Sequence, residues 1–278
     1  MNLKAVRIGI RRGWIEHAHL LKDPKEVIGT LFGTVVIFAA LIVWVGDTEI
    51  EGTGVTATAY LTAGLLAFVV FGAGLITLPT ALATDREDGT LLRLRGIPGG
   101  IPAYLVGRAT TLLCQIAVQS VLIMATALIV GGAGAPRDWL TLTWVLVLGT
   151  VAVVPLGAAI GCLMPGPKAA AGILVFPTMA LMATSGVLVP MAFLPEIVQT
   201  ISQAFPLYWQ GLGLRAAILP EAAAAAEVAG SWRLPQVAAV LAAWGLAGML
   251  IAPSLIRRVT RRESGSRLVE RRLAAAQR

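Results

Sequence analysis

The residues of this chain whose types and spacing could do chemistry lie in one short polar stretch, residues 84–98, which reads TDREDGTLLRLRGIP. Long apolar runs flank it on both sides. Its charged side chains could pair with another protein while its leucine side chains become buried, and this combination is typical of a docking element. We expect this element to consist of Asp85, Arg86, Glu87, Asp88, Gly89, Thr90, Leu91 and Leu92. The acidic residues should lie at a helix start, where the helix dipole favours them. The alternative is a solvated loop that only joins two apolar segments.

Other chemistry is not indicated by the sequence. It contains no Ser-His-Asp set, no H-E-x-x-H pattern and no G-x-x-x-x-G-K-[ST] phosphate loop. Cys114 and Cys162 both fall within apolar segments, so neither a disulfide framework nor a metal site is expected. The sequence therefore predicts that the chain is not an enzyme and holds no cofactor. Energy for any transport would have to come from another polypeptide.

The composition indicates a protein that faces lipid. Hydrophobic residues make up 57% of the chain, charged residues only 13%, and the mean hydropathy is +0.81. A soluble domain carries roughly a quarter charged residues. The net charge of +7 would suit nucleic acid, but the charges cluster at the termini and in loops. We therefore expect a polytopic membrane protein that does not bind nucleic acid.

The apolar runs predict an all-α fold with six transmembrane helices, because a bilayer core about 30 Å thick needs roughly 20 apolar residues as helix. An amphipathic interfacial helix over residues 1–26 precedes the transmembrane domain, 27–256, and a basic tail, 257–278, follows it. Leu3, Val6, Ile10, Trp14 and Leu21 recur at helical spacing. The alternative for residues 1–26 is a merely charged tail. The six spans are predicted at about residues 27–45, 59–83, 104–130, 139–163, 169–189 and 235–256.

The distribution of basic residues predicts the orientation. If both termini lie inside, 19 of the 22 lysines and arginines are cytoplasmic, which leaves only Arg137, Arg215 and Arg233 outside. The stretch 84–98 then faces the cytoplasm as well.

Polar and small residues within the spans suggest where helices meet or a route passes. Thr111, Gln115, Gln119 and Thr126 share about one face of the third span, either as interhelical hydrogen bonds or as the lining of a route. Gly72-Ala73-Gly74 with Pro79 predicts a bend or a loosened helix. The spacings Gly29-x-x-x-Gly33 and Gly157-x-x-x-Gly161 allow close helix approach. On depth and chemistry, the candidates for a substrate path are Phe68, Phe71, Gln115, Gln119, Thr178, Met179 and Met182.

Two stretches carry a family resemblance. Arg86-Glu87-Asp88-Gly89-Thr90-Leu91, directly after the second span, resembles the cytoplasmic loop motif of the ABC-2 type permeases. The second match follows the fifth span and consists of Ser185-Gly186, Pro190, Leu194-Pro195, Phe205-Pro206-Leu207-Tyr208 and Arg215. In size and character the chain is similar to permeases of the daunorubicin-exporter type.

The resemblance implies a half-transporter with a type V exporter-like fold in a bacterial plasma membrane. Two permease chains, expected to be identical, would pair above two copies of a separate ATPase that binds ATP and Mg. Residues 84–98 would hold the coupling helix between spans two and three, and the N-terminal helix would rest against the same ATPase. Residues 191–210 would form an extracellular re-entrant hairpin between spans five and six.

The cargo implied by the resemblance is a hydrophobic or amphiphilic compound of the drug or antibiotic kind, whose efflux would give antibiotic resistance. The alternatives are lipid or polysaccharide cargo. Alternative functions from a different class are a membrane-embedded enzyme and a membrane scaffold that transports nothing.

Overall fold

This computed structural model describes residues 3–45, 48–50, 54–132 and 134–262, and the side chains as far as residue 256. Most of the predicted basic tail, from residue 263 onward, lies outside the described residues. The helices are α1 (Leu3–Leu20), α2 (Pro24–Val45), α3 (Ala57–Glu87), α4 (Thr90–Arg95), α5 (Gly100–Gly131), α6 (Trp139–Leu163), α7 (Pro167–Thr184), α8 (Glu196–Ser202), α9 (Pro206–Ile218) and α10 (Leu234–Arg262). Two 3₁₀ turns, Met191–Phe193 and Glu221–Ala226, join the later helices.

Six of these helices are long and apolar enough to cross a bilayer: α2, α3, α5, α6, α7 and the part of α10 from Leu234 to Ile256. Together with the composition, they define a multi-pass, mainly helical membrane protein. The described part of the chain departs from an all-helical fold at one short antiparallel pair, β1 (Glu49–Ile50) with β2 (Val55–Thr56), between α2 and α3.

Polar residues at the helix starts satisfy backbone groups that the helices leave unpaired. The Asp23 carboxylate accepts a hydrogen bond from the Lys25 N–H at 3.0 Å, and Pro24 occupies the first turn of α2. The Asp138 carboxylate accepts from the N–H groups of Leu140 and Thr141 at the start of α6. These caps fix where the apolar helices begin.

Two of the spans contain a turn of π-helix, Phe32–Val36 in α2 and Ala73–Thr77 in α3. The second confirms the prediction of a loosened helix before Pro79. A proline at this position has no N–H to donate to the carbonyl of residue 75, so the regular ladder of hydrogen bonds is interrupted there.

Glycines allow α6 to lie against α3. A methyl group built on Gly157 would overlap the carbonyl oxygen of Gly74, and one on Gly161 would meet the backbone of Pro79. This glycine pair therefore mediates packing within the chain. In contrast, Gly29 and Gly33 have open space beside them.

Helix α1 packs side by side with the first half of α5. Gly9 lies against Ala103, and Gly13 lies against Gly107 four residues later, so the two helices run in the same direction. The Thr111 hydroxyl donates a hydrogen bond to the Gly13 carbonyl at 3.2 Å. The residues of the predicted apolar stripe Leu3, Ile10 and Trp14 remain exposed on the other side of α1.

After α7 the chain continues into two shorter helices, α8 and α9, which are joined by the turn at residues 203–205. Helix α9 is packed among α3, α6 and α10, and every residue from Pro206 to Arg215 is buried. The carbonyl of Ala204, in the turn between α8 and α9, accepts a hydrogen bond from the indole of Trp244 at 3.2 Å. Trp244 lies about 15 Å of helix rise along α10 from Leu234. This turn therefore contacts α10 well inside the helix.

Candidate functional site

The polar stretch 84–98 is divided between two helices. Helix α3 continues through Thr84 to Glu87, and Gly89 follows with a φ of 73°, which is the left-handed conformation that glycine adopts most easily. Helix α4 then begins at Thr90. The expectation that Asp85, Glu87 and Asp88 lie at the start of the short helix is therefore wrong. They lie at the end of α3 because the apolar face of that span continues through this turn.

Asp85 belongs to a polar network that ties α3 to α5 and α1. Its carboxylate accepts hydrogen bonds from the Tyr104 hydroxyl and the Arg108 guanidinium, both at 2.5 Å. Arg108 also forms an ion pair with Glu16 of α1. The guanidinium of Arg12 lies over the Tyr104 ring, 5.5 Å from its centre. Asp85 is thus neutralised within the chain, and its pairing with a partner protein stays a prediction.

Arg86 is also used internally, although the sequence suggested that it faces a partner. Its guanidinium is buried and donates to the carbonyl of Cys162 at 3.0 Å, of Met164 at 2.5 Å and of Pro165 at 3.2 Å. These carbonyls lie at the end of α6, where a positive charge also suits the helix dipole. Arg86 therefore caps α6 and fixes it to the end of α3.

The accessible surface of α4 and its flanks differs from the predicted docking set. Leu91 is buried, and Glu87, Thr90 and Leu92 are half-buried. The exposed residues are Asp88, Arg93, Arg95, Gly96, Ile97, Pro98 and Gly99. The surface presented outward is thus mainly basic and apolar, and it includes Arg93 and Ile97, which are not in the predicted docking set. Both closely follow Leu91, Arg93 on α4 and Ile97 just after its end, and this spacing was the signal that could have found them.

A cleft of about 680 Å³ lies among α2, α3, α5 and α7. The structure places five of the seven residues proposed for a substrate path on its wall, namely Phe68, Gln115, Gln119, Met179 and Met182. Phe71 and Thr178 are buried elsewhere in the packing, only 2% exposed each, and do not line it.

Both π-helical turns contribute residues to the wall of the cleft. Gly33 and Thr34 of one and Ala73, Ile76 and Thr77 of the other lie on its wall. A π-helical turn widens the helix and offsets its side chains, and such turns often occur at functional sites.

The polar stripe of the third span divides between the two roles that the sequence left open. Thr111 and Thr126 are buried and bond to carbonyls of α1 and of α5 itself, so they serve packing. Gln115 and Gln119 line the cleft.

A smaller pocket of about 170 Å³ adjoins the cleft and shares Glu26, Thr30 and Gln115 with it. Its wall includes His17 of α1, which is 7% exposed. Burial lowers the pKa of the His17 imidazole below its usual value of 6.5. This side chain is therefore neutral at pH 7.

A buried ion pair links α9 to the segment that precedes α10, at the end of the bundle opposite α4. Arg215 donates to both carboxylate oxygens of Glu227, at 2.5 and 3.1 Å, and to the carbonyl of Gly186 at 2.7 Å. The Tyr60 hydroxyl donates to the same carbonyl at 2.8 Å, and the Arg215 guanidinium lies over the Tyr60 ring. Gly186 has a φ of 71°, which ends α7 five residues before the predicted limit of that span.

Contacts of one arginine hold the turn between α8 and α9 in place. Arg233, at the start of α10, donates to the Gln203 side chain at 3.1 Å and to the Tyr208 hydroxyl at 2.6 Å. Its guanidinium lies 4.8 Å from the centre of the Trp209 ring. From its sequence position, Arg233 contributed only to the count of charges on the outer side.

These features together define a multi-pass membrane protein with a mainly apolar cleft that carries a few polar side chains, and with a short helix held between two spans. The family model for the ABC-2 type transporter matches residues 10–219. The chain belongs to the ABC-2 type transporter family, a family of membrane transport components.

Two relatives are provisionally named as transport permeases. YvfS of Bacillus subtilis (strain 168) is 29% identical over 150 residues, which cover 52% of this chain and 60% of YvfS. The protein ycf38 of Porphyra purpurea is 26% identical over 158 residues, which cover 56% of this chain and 54% of ycf38. The matched part thus spans little more than half the length of these relatives.

Proposed function

We propose that this chain is the membrane-spanning subunit of an exporter driven by a separate ATP-binding cassette ATPase, present in two copies. ATP and Mg would bind to that ATPase. The cargo would be a hydrophobic or amphiphilic compound of the drug or antibiotic kind. The family membership supports a transport role, and the partner and the cargo are our inference.

The observation that carries the proposal is how α4 is connected to the spans around it. Helix α3, which leads into it, is fixed to α6 through Arg86 and to α5 and α1 through Asp85. Leu91 anchors α4 itself. A displacement of α4 would therefore reach four helices at once, and this is the mechanical requirement for a coupling helix.

The exposed surface of α4 suggests what the ATPase presents to it. Arg93 and Ile97, the latter 57% exposed, combine a positive charge with an apolar side chain. A complementary groove would carry acidic residues around an apolar floor. We infer that this surface, rather than the acidic residues before Gly89, makes the main contact.

The same proposal places both termini and α4 in the cytoplasm of a bacterium, on the charge asymmetry of the loops. Helix α1 would then lie where α5 enters the inner leaflet. Its exposed Leu3, Ile10 and Trp14 would contact lipid, and Arg7 and Arg11 would reach the headgroups. The α8–α9 hairpin would be re-entrant from the outside, which its contact with Trp244 supports.

A second, identical chain would close the cleft. Helices α2 and α7 flank the cleft and expose large apolar side chains, such as Phe32, Val43, Trp44 and Phe176 at 60 to 83%. Covering these faces by another copy would turn two open clefts into one route along the interface. This accounts for the position of the cleft at the edge of the bundle.

Co-purification with a candidate ATP-binding cassette ATPase from the same organism tests the proposal. We expect Arg93→Glu combined with Ile97→Asp to reduce recovery of the ATPase at least tenfold, because it reverses the charge and removes the apolar contact. Arg137→Glu is the matched control, since Arg137 is exposed at the opposite end of the bundle. Equal recovery with the wild type and the α4 variant would refute the assignment of α4.

A further inference from the structure

The residues that line the cleft and its adjoining pocket include a carboxylate but no lysine or arginine. Glu26 lines both, and it is the only side chain with a formal charge among the residues that line the cleft. Lys22 and Lys25 flank it in the sequence but line neither space. Within the described ranges Glu26 has no hydrogen bond or ion pair that would neutralise its carboxylate. A helix start tolerates such a carboxylate, but its lack of a partner leaves it available to a ligand.

A second observation at the same place concerns His17. Its side chain is more than nine-tenths buried and faces the small pocket, and its Nδ1 atom has no hydrogen-bond partner in the described part of the chain. A buried nitrogen of this kind normally has a partner. The neutral imidazole offers hydrogen bonding at the pocket without adding a positive charge there.

The remaining walls define the other end of a ligand. Phe38 and Phe68 provide aromatic surface, and Met179 and Met182 provide flexible apolar surface that adapts to different shapes. Gln115 lines both spaces, as Glu26 does, so an amide and the carboxylate are both present where the cleft and the pocket adjoin. The arrangement suits a molecule with an apolar body and one polar end.

We propose that the cleft binds amphiphiles that carry one positive charge, with the Glu26 carboxylate as the counter-charge and His17 and Gln115 as hydrogen-bond partners of the cationic head. This rests on the proposed function, in which the cleft is the cargo route. An anionic amphiphile would meet the carboxylate without a compensating cation on the wall and would be disfavoured.

The test uses tetraphenylphosphonium and tetraphenylborate, two ions of the same shape and opposite charge. Binding is measured by equilibrium dialysis with the purified full-length chain in lipid nanodiscs, after subtraction of binding to protein-free nanodiscs. We expect the wild type to prefer the cation, and Glu26→Gln to weaken cation binding about tenfold without weakening anion binding. Glu196→Gln is the matched control, because Glu196 is exposed on α8, away from the cleft.

His17 is tested with dodecylammonium and dodecyltrimethylammonium, which share charge and chain length but differ in having N–H groups. We expect His17→Leu to weaken binding of dodecylammonium only. A change that affects both equally would show that His17 only shapes the pocket and would remove it from the site.

The proposal is overturned if the wild type binds neither aromatic ion, if it binds both equally, or if Glu26→Gln leaves cation binding unchanged. These outcomes are separate from a failure of the proposed function, since the binding assay needs no ATPase. Glu26-dependent cation binding without ATP-driven transport would keep the site and refute the exporter. ATP-driven transport without charge preference would do the reverse.

Discussion

The buried ion pair between Arg215 and Glu227 allows a quantitative prediction about the stability of the chain. Arg215 is fully inaccessible and Glu227 is 7% exposed, so removing either partner leaves the other as an uncompensated charge in a dry environment. Such a loss costs about 3–5 kcal/mol. We therefore expect Arg215→Met and Glu227→Leu each to lower the free energy of unfolding by about that amount.

The double variant should be more stable than either single variant. It removes both charges and loses mainly the bond to the Gly186 carbonyl, a contribution of about 1–3 kcal/mol. Replacing a buried ion pair with apolar residues of similar volume is often nearly neutral. The loss of stability in the double variant should therefore be much smaller than the sum of the losses in the two single variants.

Unfolding of the full-length chain by SDS in mixed micelles, followed by circular dichroism, gives these free energies. Glu196→Leu is the control, because Glu196 is exposed at the start of α8. It should change stability by less than about 1 kcal/mol. Additive losses in the double variant would refute the assignment of a desolvated, mutually dependent pair.

Three further predictions concern the packing, the cap and the polar start of α6. Gly157→Ala should destabilise the chain by about 1–3 kcal/mol, whereas Gly29→Ala should not, since a methyl there meets nothing within 4 Å; SDS unfolding compares them. Arg86→Met should cost about 2–3 kcal/mol because three carbonyls lose their donor, measured in the same way, and an unchanged midpoint would contradict the cap. Hydrogen bonds from Thr141 lower the pKa of Asp138, so its stabilisation is present above the ordinary aspartate range and is lost as pH falls through the lowered pKa. Thermal melts in detergent between pH 3 and 7 should show this acid loss in the wild type and not in Asp138→Asn.

Most of the span architecture could be predicted because hydropathy over about 20 residues is a local property. The structure begins α6 at Trp139 and ends it at Leu163, the limits expected from the sequence. The ends differ where a tertiary contact decides them. Helix α7 stops at Thr184 because the Gly186 carbonyl turns toward Tyr60 and Arg215, which the local sequence does not reveal.

The roles of the charged residues before Gly89 could not be predicted from their types alone. Whether Arg86 faces a partner or the interior depends on where α6 ends, and this is a property of the packing. One signal was available. Arg86 lies three and four residues after the apolar Ala83 and Leu82, so helical spacing already puts it on the same face of α3 as these two residues.

The candidate cleft was only partly predictable for a similar reason. Depth in a span can be read from the sequence, but the face of the helix depends on neighbouring helices. Gln115 and Gln119 were found because amides in an apolar helix need polar surroundings. Glu26 and His17 were not, because each lies in a helix end where polar residues are ordinary.

An exporter driven through α4 is tested by ATP-dependent accumulation of fluorescent amphiphiles in inside-out vesicles that contain the chain and a candidate ATPase. We expect accumulation with the wild type and with Arg137→Glu, and its loss when Arg93→Glu and Ile97→Asp are combined. Accumulation that needs no ATP, or that persists undiminished in the α4 variant, would contradict an exporter driven through α4.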